Sequence, residues 1–543
     1  MAQVVFAYGR AILRRPPRVV AAVALLVCGL SVLDAAPQTT PSLPSDARAA
    51  RHVLERLTFG ARPGDVERVQ QLGIARWIEQ QLSPGDRTEN DALRARFASF
   101  KTLTLDSGSI ARDYIIPARE LRRARQQAAA ASPEPGGTPT RPAARQGGQP
   151  DGQRLVMEEL ATAKLLRAID GDRQLEEVLV DFWFNHFNVF AGKGREPNFI
   201  TAYDRDVIRP HVLGRFRDLL GATAASPAML FYLDNWLSAS PDTRRPALAA
   251  GRQQRPGGQA QAARRRPGIN ENYGRELLEL HTLGVDGGYT QQDVVEVARA
   301  FTGWTIDPRT QLFRFAPAMH DDGAKTVLGR TIPAGGGIRD GERVLDILAS
   351  HPATAHHIAR KLARRFVSDT PPETLVSRAA QAFRETDGDL RQVVRTIVTS
   401  PEFFAAEARR AKVKTPLEFV ASTVRVLGGE VRNTRPLLRV LQDLGMPSFL
   451  CQPPTGYPDT ADAWVTGGAL VSRMNFALDI ASTRGRIVAI PGLGDDLAAL
   501  RARVMRDALG DGATTGTRET IAAATSPAQV VALTLGSPEF QRK

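Results

Sequence analysis

Residues 268–303, GINENYGRELLELHTLGVDGGYTQQDVVEVARAFTG, carry the most specific pattern in this 543-residue sequence. At about 100° per residue, the first half gathers these side chains on one helix face: Tyr273, Gly274, Leu277, Leu278, Leu280 and His281. Gly287 and Gly288 end this helix, because glycine accepts the positive φ of a tight turn. Thr290 and Asp293 form a variant capping box for the next helix. The stretch therefore predicts two helices joined by a Gly-rich turn, with His281 facing the core.

A second informative helix is predicted over residues 175–190, LEEVLVDFWFNHFNVF. Its apolar arc has His186 at the centre, and its narrow polar stripe consists of Glu177, Asp181, Asn185 and Asn188. Such a density of aromatic residues is typical of a helix that is buried on most sides. A second imidazole is therefore expected in the interior.

The rest of the chain is dominated by helical patterns. Residues 49–82 predict three helices, and residues 341–367 and 372–404 return to helical periodicity. Residues 301–329 instead contain short β-like pieces and end in a polar loop. With 43% hydrophobic residues, the chain can bury a large core. We therefore predict a mainly α fold, a large multi-helix single domain with short β pieces.

Two segments break the helical pattern. Residues 122–152 and 238–268 are rich in Ala, Pro, Gly and Arg and lack apolar periodicity, so we predict two disordered insertions there. The helical domain itself is expected to span residues 48–543.

The N-terminus has the pattern of an export signal. Four arginines precede the apolar run 19–33, which is followed by Asp34, Ala35 and Ala36. We predict a signal peptide over residues 1–36, a flexible leader over 37–47, and location in the periplasm or at the cell surface. An uncleaved membrane anchor is the alternative. After cleavage Cys451 would be the only cysteine, which excludes an intramolecular disulfide.

The net charge of +13 is concentrated in three segments. Residues 1–36 contribute +3, residues 121–154 contribute +4 and residues 238–268 contribute +6, which together account for the excess. Basic charge confined to such segments favours contact with an anionic envelope polymer or a membrane surface. It argues against a specific nucleic-acid site.

The common catalytic signatures are absent from the sequence, including H-E-x-x-H, G-x-S-x-G, the Walker loop and the dinucleotide fingerprint. The candidate catalytic residues are His186, His281, His320, Asp321 and Glu276. Imidazoles and carboxylates serve acid/base catalysis, and they also bind divalent transition metals. The metal hypothesis places an ion between His186, His281 and His320. Alternatively, each buried histidine simply hydrogen-bonds a neighbour in the core.

Residues 444–476 and the remaining histidines have structural interpretations. The Pro/Gly-rich residues 444–476 are expected to form a rigid lid or wall. His52 is predicted to lie on a helix surface. Surface or packing positions are predicted for the remaining histidines, which are His211, His351, His356 and His357.

Several stretches resemble a large bacterial family of unknown function, DUF1800. They are RLTFGARPGDVERVQQLGIARWIEQQL, DFWFNHFNV, NENYGRELLELHTLGVDGGYTQQDVVEVARAFTGW, HDDGAKTVLG and the closing SPEF. The resemblance runs from about residue 48 to the C-terminus. It departs at Tyr457, because Gly456-Tyr457 stands where the family tends to have Gly-Trp. The resemblance implies an exported, mostly helical bacterial protein, and it brings no established reaction.

Two functions remain open from the sequence. The first is an exported cell-envelope enzyme, hydrolase-like, acting on an envelope or extracellular polymer through a His/carboxylate site. The second is a non-catalytic helical binding or assembly protein of the periplasm or cell surface. Histidines gathered around a polar pocket would favour the enzyme, whereas scattered histidines in a dry core would favour the binding protein.

Overall fold

The computed structural model describes residues 43–83, 85, 89–131, 152–241, 268–482, 485–494 and 496–543. These residues belong to one compact unit, Leu43–Lys543. The predicted signal peptide, most of the leader and the central parts of both predicted insertions lie outside the described residues. Within the described part of the chain, no helix is both long enough and apolar enough to cross a membrane.

Up to Tyr232, every described secondary-structure element is a helix. Its α-helices are α1 Ala47–Leu57, α2 Asp65–Leu72, α3 Ile74–Leu82, α4 Asp91–Phe97, α5 Ser107–Ile110, α6 Ile116–Ala131, α7 Gly152–Asp170, α8 Gln174–His186, α9 Ile200–Ala202, α10 Phe216–Ala224 and α11 Pro227–Tyr232. The three helices predicted within residues 49–82 are confirmed as α1 to α3.

The second part adds small sheets to the helices. Its α-helices are α12 Glu271–Leu278, α13 Gln291–Ala300, α14 Ile338–Ala349, α15 Pro352–Phe366, α16 Glu373–Glu385, α17 Leu390–Val398, α18 Pro401–Phe404, α19 Pro416–Val426, α20 Thr434–Asp443, α21 Gly467–Ser482, α22 Leu497–Leu509, α23 Thr515–Ala522, α24 Pro527–Gly536 and α25 Pro538–Gln541. Its strands are β1 Trp304–Ile306, β2 Phe313–Phe315, β3 Lys325–Val327, β4 Arg330–Ile332, β5 Glu430–Val431 and β6 Val488–Ala489. They pair as antiparallel two-stranded sheets, β1 with β2, β3 with β4, and β5 with β6. The mainly α prediction with short β pieces is thus confirmed.

Residues 268–303 fold as two helices, α12 and α13. Thr290 and Asp293 form a complete capping box at the start of α13. α12 and α13 pack closely because position 274 is glycine: a Cβ there would lie 2.7 Å from the carbonyl oxygen of Val294. The first helix stops earlier than predicted, because Gly284 already has φ +85°.

The last turn of that first helix is a π-helix, Glu279–Leu283. The wider turn leaves backbone carbonyls without their usual partners. The hydroxyl of Thr282 donates to the carbonyls of Leu277 and Leu278, at 2.7 and 3.2 Å. Thr282 thereby stabilises the π turn that carries His281.

α8 lies in the core, as its aromatic density predicts. Trp183 is fully buried, and its ring packs against Phe182, Phe187 and Phe216. The helix ends at His186, four residues before the predicted end. The hydroxyl of Tyr203 donates to the carbonyl of Phe187 at 2.8 Å and so satisfies one group of the terminus.

The structure corrects the edges of both predicted insertions. α6 continues to Ala131, because its Ala-, Gln- and Arg-rich sequence has high helix propensity even without apolar periodicity. At the second insertion, the backbone N–H of Ala239 donates to Gly268 and that of Ser240 donates to Met319. Residues 238–240 are buried and therefore belong to the folded domain.

His52 is also corrected, from a helix surface to the core. It is 3% exposed, because Phe403 and Phe404 of α18 cover this face of α1. Its Nε2–H donates to the carbonyl oxygen of Phe403 at 2.7 Å. One continuous cluster of buried apolar side chains joins Ala49 near the start of the domain to Phe540 near its end.

Candidate functional site

Three imidazole rings meet beside the C-terminal end of α8. The ring centre of His186 lies 6.3 Å from that of His281 and 6.2 Å from that of His357. His281 comes from the π turn after α12, and His357 comes from α15. We call these three rings the imidazole cluster.

The backbone around the cluster orients its rings. The Nε2–H of His186 donates to the carbonyl of His281 at 3.1 Å, which leaves Nδ1 as the unprotonated nitrogen. His357 is hydrogen-bonded to the backbone of Leu280 and fits against Gly284, where a Cβ would lie 2.9 Å from its Nδ1. Among the described residues, His186 Nδ1, His281 Nε2 and His357 Nε2 have no hydrogen-bond partner.

All three rings are neutral at physiological pH. Burial, reinforced by the charge of Lys361, lowers the pKa of His281 to about 3 and that of His357 to about 4. The same two causes hold the pKa of His186 well below its ordinary value. The cluster therefore offers neutral, unprotonated ring nitrogens.

Lys361 interacts electrostatically with the imidazole cluster and also with a residue that lines a cavity. It follows His357 by four residues on α15, so both side chains lie on the same face of the helix. Its Nζ lies 4.0 Å from Oδ2 of Asp459, a residue that lines the cavity. Burial lowers the pKa of Lys361, and the Asp459 carboxylate only partly opposes this effect.

The cavity has a volume of about 490 Å³. Its charged and amide-bearing lining residues, which we call the mixed-charge cleft, are Asp181, Asn185, Arg365, Lys412, Glu418 and Asp459. A second cavity of about 370 Å³ shares Asp181, Asn185 and Tyr457 with the first, so the two form adjoining parts of one depression.

The charged side chains of the cleft all have ion-pair partners. Glu418 contacts Arg365 and also Lys543 at the C-terminus. Burial alone would raise the pKa of Glu418, but these two cations outweigh it and hold the pKa well below its ordinary value. Lys412 contacts Asp369 and donates to the carbonyl of Asp459 at 2.7 Å. Ion pairs and hydrogen bonds thus hold the charged side chains of the cleft in place.

The Pro/Gly-rich segment forms one wall of the cleft, in agreement with the prediction. The Asn185 side chain donates to the carbonyl of Tyr457 at 2.9 Å and accepts from its N–H at 2.7 Å. Asn188 donates to the carbonyls of Cys451 and Pro453. Gly456 has φ +76°, and a Cβ there would lie 2.3 Å from the carbonyl oxygen of Asn185. Asn185 and Asn188, two residues of the predicted polar stripe, therefore hold this wall in place by hydrogen bonds.

His320 does not join the imidazole cluster. Its Nδ1 lies 2.8 Å from the carbonyl oxygen of Thr302, and its Nε2 lies 3.3 Å from Oδ2 of Asp340. Lys325 donates to the same carboxylate oxygen at 2.6 Å in a fully buried ion pair. The expected convergence of His320 with His186 and His281 is corrected, because Asp340 of α14 and the β3 lysine hold this loop apart. His357, instead of His320, is the third ring of the imidazole cluster.

The two predicted carboxylates lie in different surroundings. Asp321 accepts from both Nε and Nη2 of Arg299, at 2.9 and 3.1 Å. Glu276 is half-buried, and burial together with the neighbouring Glu279 raises its pKa. Among the described residues, no three His, Cys, Asp or Glu side chains are grouped so that they could hold a metal ion. The predicted metal set is therefore not assembled.

Cys451 is unsuited to nucleophilic chemistry. It is buried, and burial raises the pKa of its thiol to about 11, so the thiolate is rare at neutral pH. The groups that sequence reasoning missed are His357, Lys361 and Arg365. Their spacing on one helix was visible in the sequence, but nothing local indicated that α15 would pack against His186.

Comparison with known proteins adds a family but no activity. The sequence profile described as "Protein of unknown function (DUF1800)" matches residues 52–542, nearly the whole chain. No curated protein shows significant similarity to the chain, and no solved structure does. The chain belongs to the DUF1800 family.

Proposed function

We propose that the protein is a hydrolase-like enzyme whose active site is the mixed-charge cleft, with Lys361 as the proton acceptor. The observation that carries this proposal is the position of Lys361. Its largely buried amine acts electrostatically on all three imidazoles and lies 4.0 Å from Oδ2 of Asp459 in the cleft. Burial lowers the pKa of Lys361 and so favours the neutral amine, which is the form that a general base needs.

The proposed step is a hydrolysis. The Nζ lone pair of Lys361 takes a proton from water, and the water oxygen attacks the electrophilic carbon of the substrate. The bond to the leaving group breaks, and the leaving group takes the proton back from Lys361. Arg365 and Lys412 would bind anionic groups of the substrate, and Asn185 would hold the wall that excludes bulk water.

The proposed substrate is an envelope or extracellular polymer that carries negative charge. The basic residues 121–154 and 238–268 would attract such a polymer over long range, and Arg365 and Lys412 would contact it in the cleft. We propose that the enzyme acts in the periplasm or at the cell surface.

Lys361→Met is expected to lower the rate of polymer cleavage by about 10²–10⁴-fold, because it removes the proton acceptor. The assay measures new reducing ends and new amino groups that the purified full chain releases from isolated envelope polymers. Lys361→Arg should be equally inactive, since a guanidinium stays protonated. Lys101→Met, at an exposed lysine, is the matched control and should keep full activity. Equal rates for Lys361→Met and Lys101→Met would refute the proposal.

A non-catalytic binding protein is the second candidate, favoured by the ion pairs that already satisfy the charges of the cleft. The same isolated envelope polymers distinguish a hydrolase from a binding protein. A wild-type protein that binds the polymer and releases no new ends, together with an unchanged affinity in Lys361→Met, would establish binding without catalysis.

Export is expected to remove the first 35 or 36 residues. The basic segment and the apolar run 19–33 have the pattern of a signal peptide. N-terminal sequencing of the protein from the cell envelope should therefore begin at Ala36 or Pro37. A chain that retains Met1 in the membrane fraction would show an uncleaved anchor instead.

A further inference from the structure

A cavity of about 940 Å³ lies between α1, α2 and the end of α22. Five arginines and three acidic residues line it: Arg48, Arg51, Arg409, Arg410, Arg506, Glu55, Glu67 and Asp511. None of these residues lines the mixed-charge cleft. We call this space, which is partly open to solvent, the arginine cavity.

Two of its guanidinium groups are fixed by backbone. Arg51 donates to the carbonyls of Arg506 and Asp507, at 2.9 and 2.7 Å. Arg410 donates to the carbonyls of Leu509 and Gly512, also at the end of α22, at 2.9 and 2.6 Å. Because the helix end already orients these cations, little side-chain entropy would be lost when a ligand binds them.

Glycines at the end of α22 leave room for Arg51 and Arg410 to approach the backbone there. A Cβ at position 510 would lie 2.8 Å from Nε of Arg51, and one at position 512 would lie 2.2 Å from Nη1 of Arg410. Gly510 also has φ +54°, which disfavours other residues. The local sequence Gly510-Asp511-Gly512 is thus matched to the two guanidinium groups.

Several of the residues that line the cavity have polar groups without partners. Within the described part of the chain, Nε of Arg409 and Nδ1 of His52 are buried and unbonded. Since Nε2–H of His52 donates to Phe403, its Nδ1 is an acceptor. Glu55 and Glu67 form no ion pair among the described residues, and neither does Arg48. The lining therefore offers both cationic donors and free acceptors.

We propose that the arginine cavity binds a sugar unit that carries an oxyanion, either a uronic acid or a sugar phosphate. Guanidinium groups pair with carboxylate or phosphate oxygens in a bidentate geometry. The carboxylates of Glu55 and Glu67 would repel a bare anion, but they accept hydrogen bonds from sugar hydroxyls. A ligand with both kinds of group matches the lining and uses more of the volume than an inorganic ion does.

Isothermal titration calorimetry of the purified full chain tests the proposal. The probes are glucuronate, glucose 6-phosphate, glucose and inorganic phosphate. At least one of the two anionic sugars is expected to bind ten-fold or more tightly than both glucose and inorganic phosphate. Which of the two binds more tightly identifies the oxyanion. The proposal is overturned if neither glucuronate nor glucose 6-phosphate binds ten-fold more tightly than both glucose and inorganic phosphate.

Variants locate the site. Arg48→Gln and Arg409→Gln should each weaken the anionic sugar ten-fold or more, because each removes a cation from the cavity. Arg435→Gln is the matched control, since Arg435 is 71% exposed and pairs with Glu158 away from the cavity lining. Glu55→Gln should weaken the sugar and leave the weak binding of inorganic phosphate unreduced. Unchanged affinity in both Arg48→Gln and Arg409→Gln would place the sugar elsewhere and refute the proposal.

Discussion

Replacing Glu418 by alanine is expected to lower the free energy of unfolding by about 3–5 kcal/mol. Glu418 is 3% exposed, and its carboxylate contacts Arg365 and Lys543, which are themselves buried. It also accepts from the backbone N–H of Thr415 at 3.0 Å in the capping box of α19. Its removal leaves two buried cations without their partner. Urea unfolding followed by circular dichroism measures the loss.

Two comparison variants show whether the charge is responsible. Glu373→Ala removes an exposed carboxylate that pairs with Arg360 and His356, and it should cost less than about 1 kcal/mol. Glu418→Gln keeps the volume and removes only the charge, so it should retain most of the destabilisation. Equal losses for Glu418→Ala and Glu373→Ala would mean that the buried network does not stabilise the fold.

Acidification is expected to destabilise the protein through the imidazole cluster. The pKa of His281 is about 3 in the folded chain and near 6.5 in the unfolded chain. The unfolded chain therefore binds more protons below pH 6.5, so the stability is fully present above that pH and is lost as the pH falls. For His281 alone the loss is about 3 kcal/mol at pH 4, and His186 and His357 change in the same direction.

Substitutions can isolate the contribution of the imidazole cluster to the pH dependence of stability. The free energy of unfolding is measured at pH 7 and pH 4 for the wild type, His281→Gln and His356→Gln. His281→Gln should show a smaller difference between the two pH values, because it removes one titrating ring. His356 is half-exposed and pairs with Glu373, so its variant should behave like the wild type. An unchanged pH dependence in His281→Gln would contradict the neutral, buried state of this ring.

The helices themselves could be predicted because their signals are local. The capping box at Thr290, the apolar face of α12 and the aromatic face of α8 each depend on residues within a few turns. The same periodicity correctly placed His186 and His281 in the interior. Where the sequence lacked periodicity, as in residues 122–131, helix propensity still produced a helix that the apolar pattern did not indicate.

Partners across the fold could not be predicted in this way. Helix phase tells which side of a helix is buried, but it does not tell which helix covers it. His357 and Lys361 meet His186 only because α15 packs beside the π turn, whereas Asp340 and Lys325 hold His320 in a separate site. The sequence by itself determined the helices, their caps and two buried imidazoles, because these follow from neighbours along the chain. Only the tertiary structure decided the third imidazole, the paired charges of the cleft and the arginine cavity, because those contacts join residues far apart in sequence.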